Sequence, residues 1–383
     1  MDGPDRPLKI LVMSEGWQSA LACIQSLGGK GHHIYTLAGA EVSINSRSSH
    51  VRGVAKFAGS RDLDSRAGFI MKLVAESGLD LVIPIRDVDA RIVARCRKSS
   101  GDGERFVVGE EEAVELATSR NRTVELCRSL GIATPRTGFA TLENAAAACE
   151  RIGYPCYLKV SGTTASRGVF RLESEADLRA PLDVLARNAE FQIQEAVEGE
   201  LVGVTGFCRD GALLAGFAFR SLRGTALGGT SPHAAIVEDP GLLDALGRIA
   251  QALNWTGGID LDFIATPDGG HVLLEINPRL SGTTIFGLKR GVDLPAGYLP
   301  WARSASDLAC PPENAEATGF VSLVEEARSF AKGGAETLAQ AVAFRREHAC
   351  VDNAFWDDPG YSRALFQMIQ RIRLATAEAG NPA

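Results

Sequence analysis

The chain has no long hydrophobic run. Its first apolar stretch, LKILVM (8–13), is short and is followed by Glu15. Neither a signal peptide nor a membrane span, which needs roughly 18 apolar residues, is expected. The protein is therefore expected to be cytoplasmic, with no membrane partner. Basic charge is also scarce, with 40 Lys and Arg against 47 Asp and Glu and a net charge of -7. A broad phosphate-neutralising surface needs clustered cations, so a nucleic-acid partner is not expected. The eight cysteines include no CxxC pair. In a chain of this length they read as reduced, mostly buried thiols. The turn after the first strand, SEGWQS (14–19), lacks the GxGxxG that brings a backbone close to a dinucleotide pyrophosphate. GK[ST] and GxSxG are missing too, which excludes a Walker A loop and a serine nucleophile elbow. His32 and His33 have no partner at metal-ligand spacing, and His271, at a strand start, reads as a structural residue rather than a base.

What is present is a globular composition: 45% hydrophobic, 23% charged, and 41 glycines among 383 residues. That length suggests two or three domains of mixed α/β and α+β class. Strands LKILVM and HIYTLA (33–38) flank a helix near 17–28, and LDLVIPI (79–85) follows another near 64–77, a parallel, doubly wound layout. A polar shift at SSGDGE closes this unit near residue 104. Helices near 119–130 and 143–151 come next, and from 154 the pattern turns to strands and glycines. VGVTGFCRDGALLAGFAFRS and GIDLDFIATPDGGHVLLEIN each carry a central turn signal and read as hairpins. A Pro-rich stretch (CPPEN) and a last amphipathic helix near 361–378 complete the pattern.

Three stretches carry chemistry. If Asp268-Gly269 forms a two-residue turn, the register sets Asp262 opposite Glu275 and Asp260 opposite Asn277, with Ile264 and Leu273 as apolar neighbours on that face. Opposed carboxylates repel, so a cation belongs between them. Asp262, Glu275 and Asn277 offer the oxygen ligands that Mg²⁺ prefers; the competing reading is a solvated acidic face. In YPCYLKVSGTTASRGV, Lys159 ends a strand, and Gly162, Ser166 and Gly168 leave a loop whose backbone can approach phosphates, although many hairpin loops share that composition. In FQIQEAVEGE, Glu195 and Val197 end a strand where backbone groups can meet an adenine edge, and nothing in their composition separates them from an ordinary strand end.

The order of these parts, a lysine with a glycine loop, then QEAV-x-G, an acidic hairpin and E-x-N-P-R, resembles the ATP-grasp superfamily. The closer likeness is to its carbamoyl-phosphate-synthase-like carboxylate-amine ligases, and it covers nearly the whole chain. SRSSH (46–50), PIRDVD (84–89), SRNRTVELCRSLGIATP (119–135) and DNAFWDDPG (352–360) are similar to family segments. The resemblance implies a Rossmann-like N-terminal domain over 1–115 and an ATP-grasp domain over 116–310 with a small lid at about 150–198. A C-terminal extension over 311–383 is expected to pack on the ATP-grasp core. It implies ATP and two Mg²⁺ ions as cofactors, with a small carboxylate such as an amino acid and an amine as partners, and it is compatible with a homodimer.

Residue by residue, the resemblance matches Arg122 to a first ATP-binding lysine and Lys159 to a second. It matches Glu195 and Val197 to the adenine hinge, and Asp262, Glu275 and Asn277 to the metal ligands. Arg279 would hold the acyl phosphate or the substrate carboxylate. Leu201 stands where a ribose-binding glutamate is common, leaving Glu200 as the substitute. In FRSLRGTALGGTSPH (219–233), Arg220 and Arg223 could neutralise a transferring phosphoryl group, or be surface arginines of a solvated loop. Glu15, Arg86 and Asp87, at strand ends of the first domain, are candidate substrate contacts. The expected activity is carboxylate activation as an acyl phosphate followed by amide formation. The alternatives are a bicarbonate-using carboxylase or carbamoyl-phosphate-type enzyme, and a non-catalytic nucleotide-binding protein.

Overall fold

A computed structural model describes residues 6–14, 16–39, 42–60, 62–160, 168–185, 191–222 and 232–379. The first unit is a four-stranded sheet of β1 (Lys9–Val12), β2 (His33–Ala38), β3 (Val51–Lys56) and β4 (Leu81–Ile83) in the order β3-β2-β1-β4. All of its pairings are parallel. Its helices are α1 (Gln18–Gly29), α2 (Leu63–Ser77) and α3 (Asp87–Ser100). The sequence punctuates them well: Asp62 caps α2 by accepting from Ser65 N at 2.8 Å, and Gly78 ends it at a φ of 61°. Helices α4 (Glu111–Thr118) and α5 (Arg120–Ser129) lead out of this unit.

A small antiparallel sheet follows, made of β5 (Thr137–Ala140), β6 (Cys156–Val160), β7 (Val169–Leu172) and β8 (Phe191–Glu195) in the order β5-β8-β6-β7. Helices α6 (Ala145–Ile152) and α7 (Arg179–Val184) accompany it. This sheet begins at Thr137, before the 150 expected for the lid. Its core of Leu158, Leu172, Phe191 and Ile193 is separate from the two larger cores.

The central sheet has seven strands in the order β13-β12-β9-β10-β11-β14-β15. They are β9 (Glu200–Arg209), β10 (Ala212–Ser221), β11 (His233–Val237), β12 (Gly257–Ala265), β13 (His271–Asn277), β14 (Gly319–Val321) and β15 (Cys350–Asp352). Helices α8 (Pro240–Ala252) and α9 (Thr284–Arg290) precede the C-terminal helices α10 (Leu323–Glu347) and α11 (Pro359–Ala379). The segment after 310 therefore does more than pack on the core, because β14 pairs antiparallel with β11 and β15 pairs parallel with β14. It also ties the first unit down. Asp358, fully buried, accepts from Gln25 Nε2 at 2.6 Å, Ser49 N at 2.9 Å and Tyr361 N at 3.1 Å. Among the described residues no helix is long and apolar enough to cross a membrane.

The two hairpins differ at their turns. In the first, Arg209 pairs with Ala212, and Asp210 and Gly211 take positive φ values of 49° and 79°, a two-residue turn. In the second, Thr266 N donates to Gly270 O at 2.9 Å, so Pro267, Asp268 and Gly269 form a three-residue loop instead of the expected two-residue turn. Pro267 supplies the fixed φ of a first turn position, and Gly269, at a φ of 84°, closes the loop in the left-handed region. That slip moves Phe263 opposite Leu273, and a bulge between Asp262 and Phe263 then moves the register back. Asp262 still faces Glu275 and Asp260 still faces Asn277. Leu273, expected beside the acidic pair, lies instead in the core with Phe263, and Val272 takes its place opposite Ile264.

Candidate active site

The acidic face of the β12–β13 hairpin meets the first unit and the small sheet. Directly paired residues share a face, so Asp262, Gly203 and Phe219 lie on one side of the central sheet, and Phe263, Val202 and Arg220 on the other. Arg220 therefore points away from the acidic pair. It binds Glu200 at 2.9 Å on that opposite face, which places both residues apart from the roles expected of them, phosphoryl neutralisation and ribose binding. On the acidic face, Leu201 pairs with Ile264, and Leu201 is 41% exposed. Together they make an apolar platform one strand step outside Asp262.

Arg279 is the hub of the inner half. It lies 3.3 Å from Asp87 Oδ1 through Nε and 3.4 Å from Asp260 Oδ2 through Nη1, and its Nη2 donates to Asn277 Oδ1 at 2.9 Å. Burial opposes its charge, but Asp87, Asp260, Asp262 and Glu275 together raise its pKa. Asn277 Nδ2 donates to Asp262 Oδ2 at 3.2 Å and to Asp260 Oδ2 at 3.4 Å. The amide orientation follows from this ring of partners, since carboxylates only accept and guanidinium only donates.

The acidic groups are held against their preference. Burial, then the neighbouring Asp260 and Glu275, push the Asp262 carboxyl well above the usual carboxylate range. Burial also raises Asp260, to about 7, with Arg279 opposing and Glu275 and Asp87 adding to it. Burial likewise raises Asp87. From the small sheet, Lys159 faces this charge. Burial lowers its pKa to about 8, the pull of Glu275 and Asp262 opposes that, and the positive charge of Arg120 reinforces it.

Sequence reasoning missed Arg120. The first turn of α5 points Arg120, two residues before Arg122, at the end of β6, where its Nη1 donates to Val160 O at 2.5 Å. Arg122 instead pairs with Glu112 on α4. Helical phase is the signal that separates them, because residues two apart lie on nearly opposite faces. Asn121, between them, accepts from Gln192 Nε2 at 2.9 Å, and Gln192 pairs with Lys159 across β8 and β6.

The remaining candidates are placed as follows. Gly168, at a φ of 77°, accepts from Val160 N at 2.8 Å. The Glu195 carboxylate accepts from Arg136 N at 2.7 Å and pairs with its guanidinium, which leaves only its backbone carbonyl and half-buried Val197 for an adenine edge. Arg86 Nε donates to Ser14 Oγ at 2.7 Å and, by its own N, to Asp89, so it shapes the start of α3. Glu15, Gly162, Ser166 and Arg223 lie outside the described residues.

For Mg²⁺ the fit rests on Asp262 and Glu275. Among the described residues no group of three or more His, Cys, Asp or Glu side chains is set to hold an ion. The two carboxyl groups nevertheless stand directly opposite one another, and Glu275 is exposed to an incoming ion. Asn277 would give its oxygen to an ion only after turning its amide away from Arg279.

No family model matches the chain. Carbamoyl phosphate synthase large chain of Thermomicrobium roseum is 30% identical over 188 residues, 46% of this chain and 17% of the relative. Formate-dependent phosphoribosylglycinamide formyltransferase of Thermococcus kodakarensis is 31% identical over 137 residues, 35% of this chain and 31% of the relative. This chain thus spans less than a third of the length of either curated relative. Among solved structures, an L-amino acid ligase from Bacillus licheniformis superposes with a TM-score of 0.64 at 12% identity, covering 82% of this chain and 80% of that one. In the order of its motifs, in its paired carboxylates and in these partial likenesses the chain is similar to carboxylate-amine ligases of the ATP-grasp superfamily.

Proposed function

We propose that the chain is an ATP-dependent ligase that activates a small carboxylate as an acyl phosphate and passes the acyl group to an amine, releasing ADP and phosphate. One observation carries the reading. A lysine from the small sheet faces two in-register carboxylates on the central sheet, with a buried arginine directly behind them. Phosphoryl transfer asks a protein mainly for positioning and charge compensation, and this arrangement supplies both.

In this reading Lys159 and Arg120 hold the phosphates. Leu201 and Ile264 form the floor under the base, and the backbone at Glu195 and Val197 meets its edge. Asp262 and Glu275 would hold Mg²⁺, which when bound offsets phosphate charge. Arg279 orients the acyl group by paired N–H donation. The parallel first unit acts as a Rossmann-like domain that brings Asp87 to the site. A cytoplasmic location with small-molecule substrates completes the account.

The test is a screen of amino acids and other small carboxylates with ATP, Mg²⁺ and hydroxylamine. The reading predicts ADP, phosphate and a hydroxamate from a subset of them. AMP and pyrophosphate would contradict it and indicate an adenylating ligase. A bicarbonate-using reaction is the second reading, favoured by the likeness to a carbamoyl phosphate synthase chain. It predicts bicarbonate-dependent ADP release with no organic hydroxamate.

A further inference from the structure

We infer that the inner half of the site binds the acceptor amine as an alkylammonium cation, held between Asp260 of the central sheet and Asp87 of the first unit. This rests on the ligase reading and names the class of its second substrate.

The inner half is over-supplied with acceptors. Asp260 is 4% exposed, and its Oδ1 is buried without a hydrogen-bond partner. Its Oδ2 serves Asn277 and Arg279 only at 3.4 Å each. Asp87 Oδ1 is likewise buried, and its 3.3 Å contact with Arg279 Nε is an ion pair not aligned as a hydrogen bond. Two carboxylates thus share one guanidinium, and each leaves a desolvated oxygen unsatisfied. Such an oxygen destabilises the empty site, a burden relieved when a ligand supplies the missing donor.

The chemistry of the donor discriminates between cations. A second divalent ion would need several oxygens converging on it, yet here Arg279 lies within 3.4 Å of both carboxylates, so its charge would repel the ion. A primary ammonium has three N–H donors and a single charge, which matches two unsatisfied carboxylate oxygens and leaves one donor over. The location agrees. Asp87 begins α3 with three residues between it and the end of β4, past the C-terminal edge of a parallel sheet, where open α/β sheets take ligands. Asp260 lies one pair deeper than Asp262 on the same face, beside the group proposed to orient the acyl carbon. To react, the bound ammonium gives one proton to the Asp87 carboxylate; the freed lone pair then forms the C–N bond as the acyl C–O bond to phosphate breaks, and the departing phosphate takes the second proton. None of these features is required by a neutral or aromatic amine.

The test uses the full chain with ATP, Mg²⁺ and a carboxylate that supports hydroxamate formation. Acceptors are hydroxylamine, mostly uncharged near neutral pH, and a panel of amino acids and simple alkylamines. Asp87→Asn and Asp260→Asn should each raise KM for the best cationic acceptor about tenfold or more, the equivalent of one lost charged contact of ~1.4 kcal/mol. The ratio of amide to hydroxamate formation should fall by a similar factor. Equal losses with both nucleophiles would show that the two aspartates only support Arg279, and would overturn the inference. A higher Mg²⁺ requirement common to both nucleophiles would assign the free oxygens to a second ion and overturn it as well.

A measurement on the unmodified chain covers an asparagine variant that does not fold. In Mg-ADP and carboxylate, the cationic acceptor should raise the melting temperature and its N-acetyl derivative should not; equal shifts would contradict the inference. Hydroxamate formation without acceptance of any alkylamine would overturn this inference alone. A wild-type chain that forms no hydroxamate with any carboxylate would remove the ligase reading and this inference with it.

Discussion

Replacing Lys159 by methionine tests whether this lysine is kept for a ligand or for the fold. Methionine keeps the length of the stem and removes the charge. Burial and Arg120 disfavour that charge more than Glu275 and Asp262 attract it, so the pKa falls from 10.5 to about 8. A fall of that size corresponds to roughly 3 kcal/mol of strain in the charged, nucleotide-free state; relaxation of the small sheet and solvent entry reduce it, so ~1–3 kcal/mol is expected. Lys159→Met should therefore be as stable as the native chain or more stable without nucleotide near pH 7. The pH dependence has a definite sign. Between about 8 and 10.5 the unfolded lysine holds its proton while the folded one has lost it, so native stability rises with pH across that window. The advantage of the variant should be constant below pH 8 and vanish towards 10.5. Urea unfolding at several pH values measures this, and repeating it with Mg-ATP measures the ligand contribution, which should largely disappear. A variant less stable at pH 7, with native stabilisation by Mg-ATP, would refute the reasoning.

Three other substitutions separate site from scaffold. Glu275→Gln keeps shape but removes one of two opposed charges; turnover should fall about a hundredfold or more while nucleotide-free stability holds or rises, as ADP release and melting curves will show. Arg120→Ala should weaken ATP binding about tenfold or more, whereas Arg122→Ala, which only loses its pair with Glu112, should change it less than about twofold by calorimetry. Asp358→Ala leaves the donors of Gln25, Ser49 and Tyr361 without their buried acceptor, and should cost ~3–5 kcal/mol in urea unfolding.

Much of the chain was legible because period and punctuation agreed with the tertiary structure. The alternation in GIDLDFI and LLEIN placed Asp262 opposite Glu275 even though the assumed turn was wrong, because the slip at Pro267-Asp268-Gly269 and the bulge beyond Asp262 cancel. Neither is visible alone: a Pro before Asp-Gly changes the turn type, and a bulge has no reliable residue signature. Helix α10 was hidden by Gly333-Gly334 in its interior and by apolar residues that stay exposed, Phe330, Leu338 and Val342, which blur a buried stripe. Strands β14 and β15, three residues each, are too short to show any period. The exchange of Arg122 for Arg120 turned on helical phase at a boundary, where sequence reading is least exact. Asp260 shared its strand, its face and its acidic character with Asp262; only the unpartnered oxygen in the folded chain marks it as more than a neighbour.

The central claim is that a carboxylate oxygen attacks the terminal phosphorus of ATP. The direct measurement is to supply the accepted carboxylate labelled with heavy oxygen and to analyse the released phosphate by mass spectrometry. An acyl phosphate intermediate predicts that one labelled oxygen moves from each carboxylate to phosphate, in step with ADP release and product formation. Unlabelled phosphate during full turnover would mean that the carboxylate never reached phosphorus, and would contradict the account.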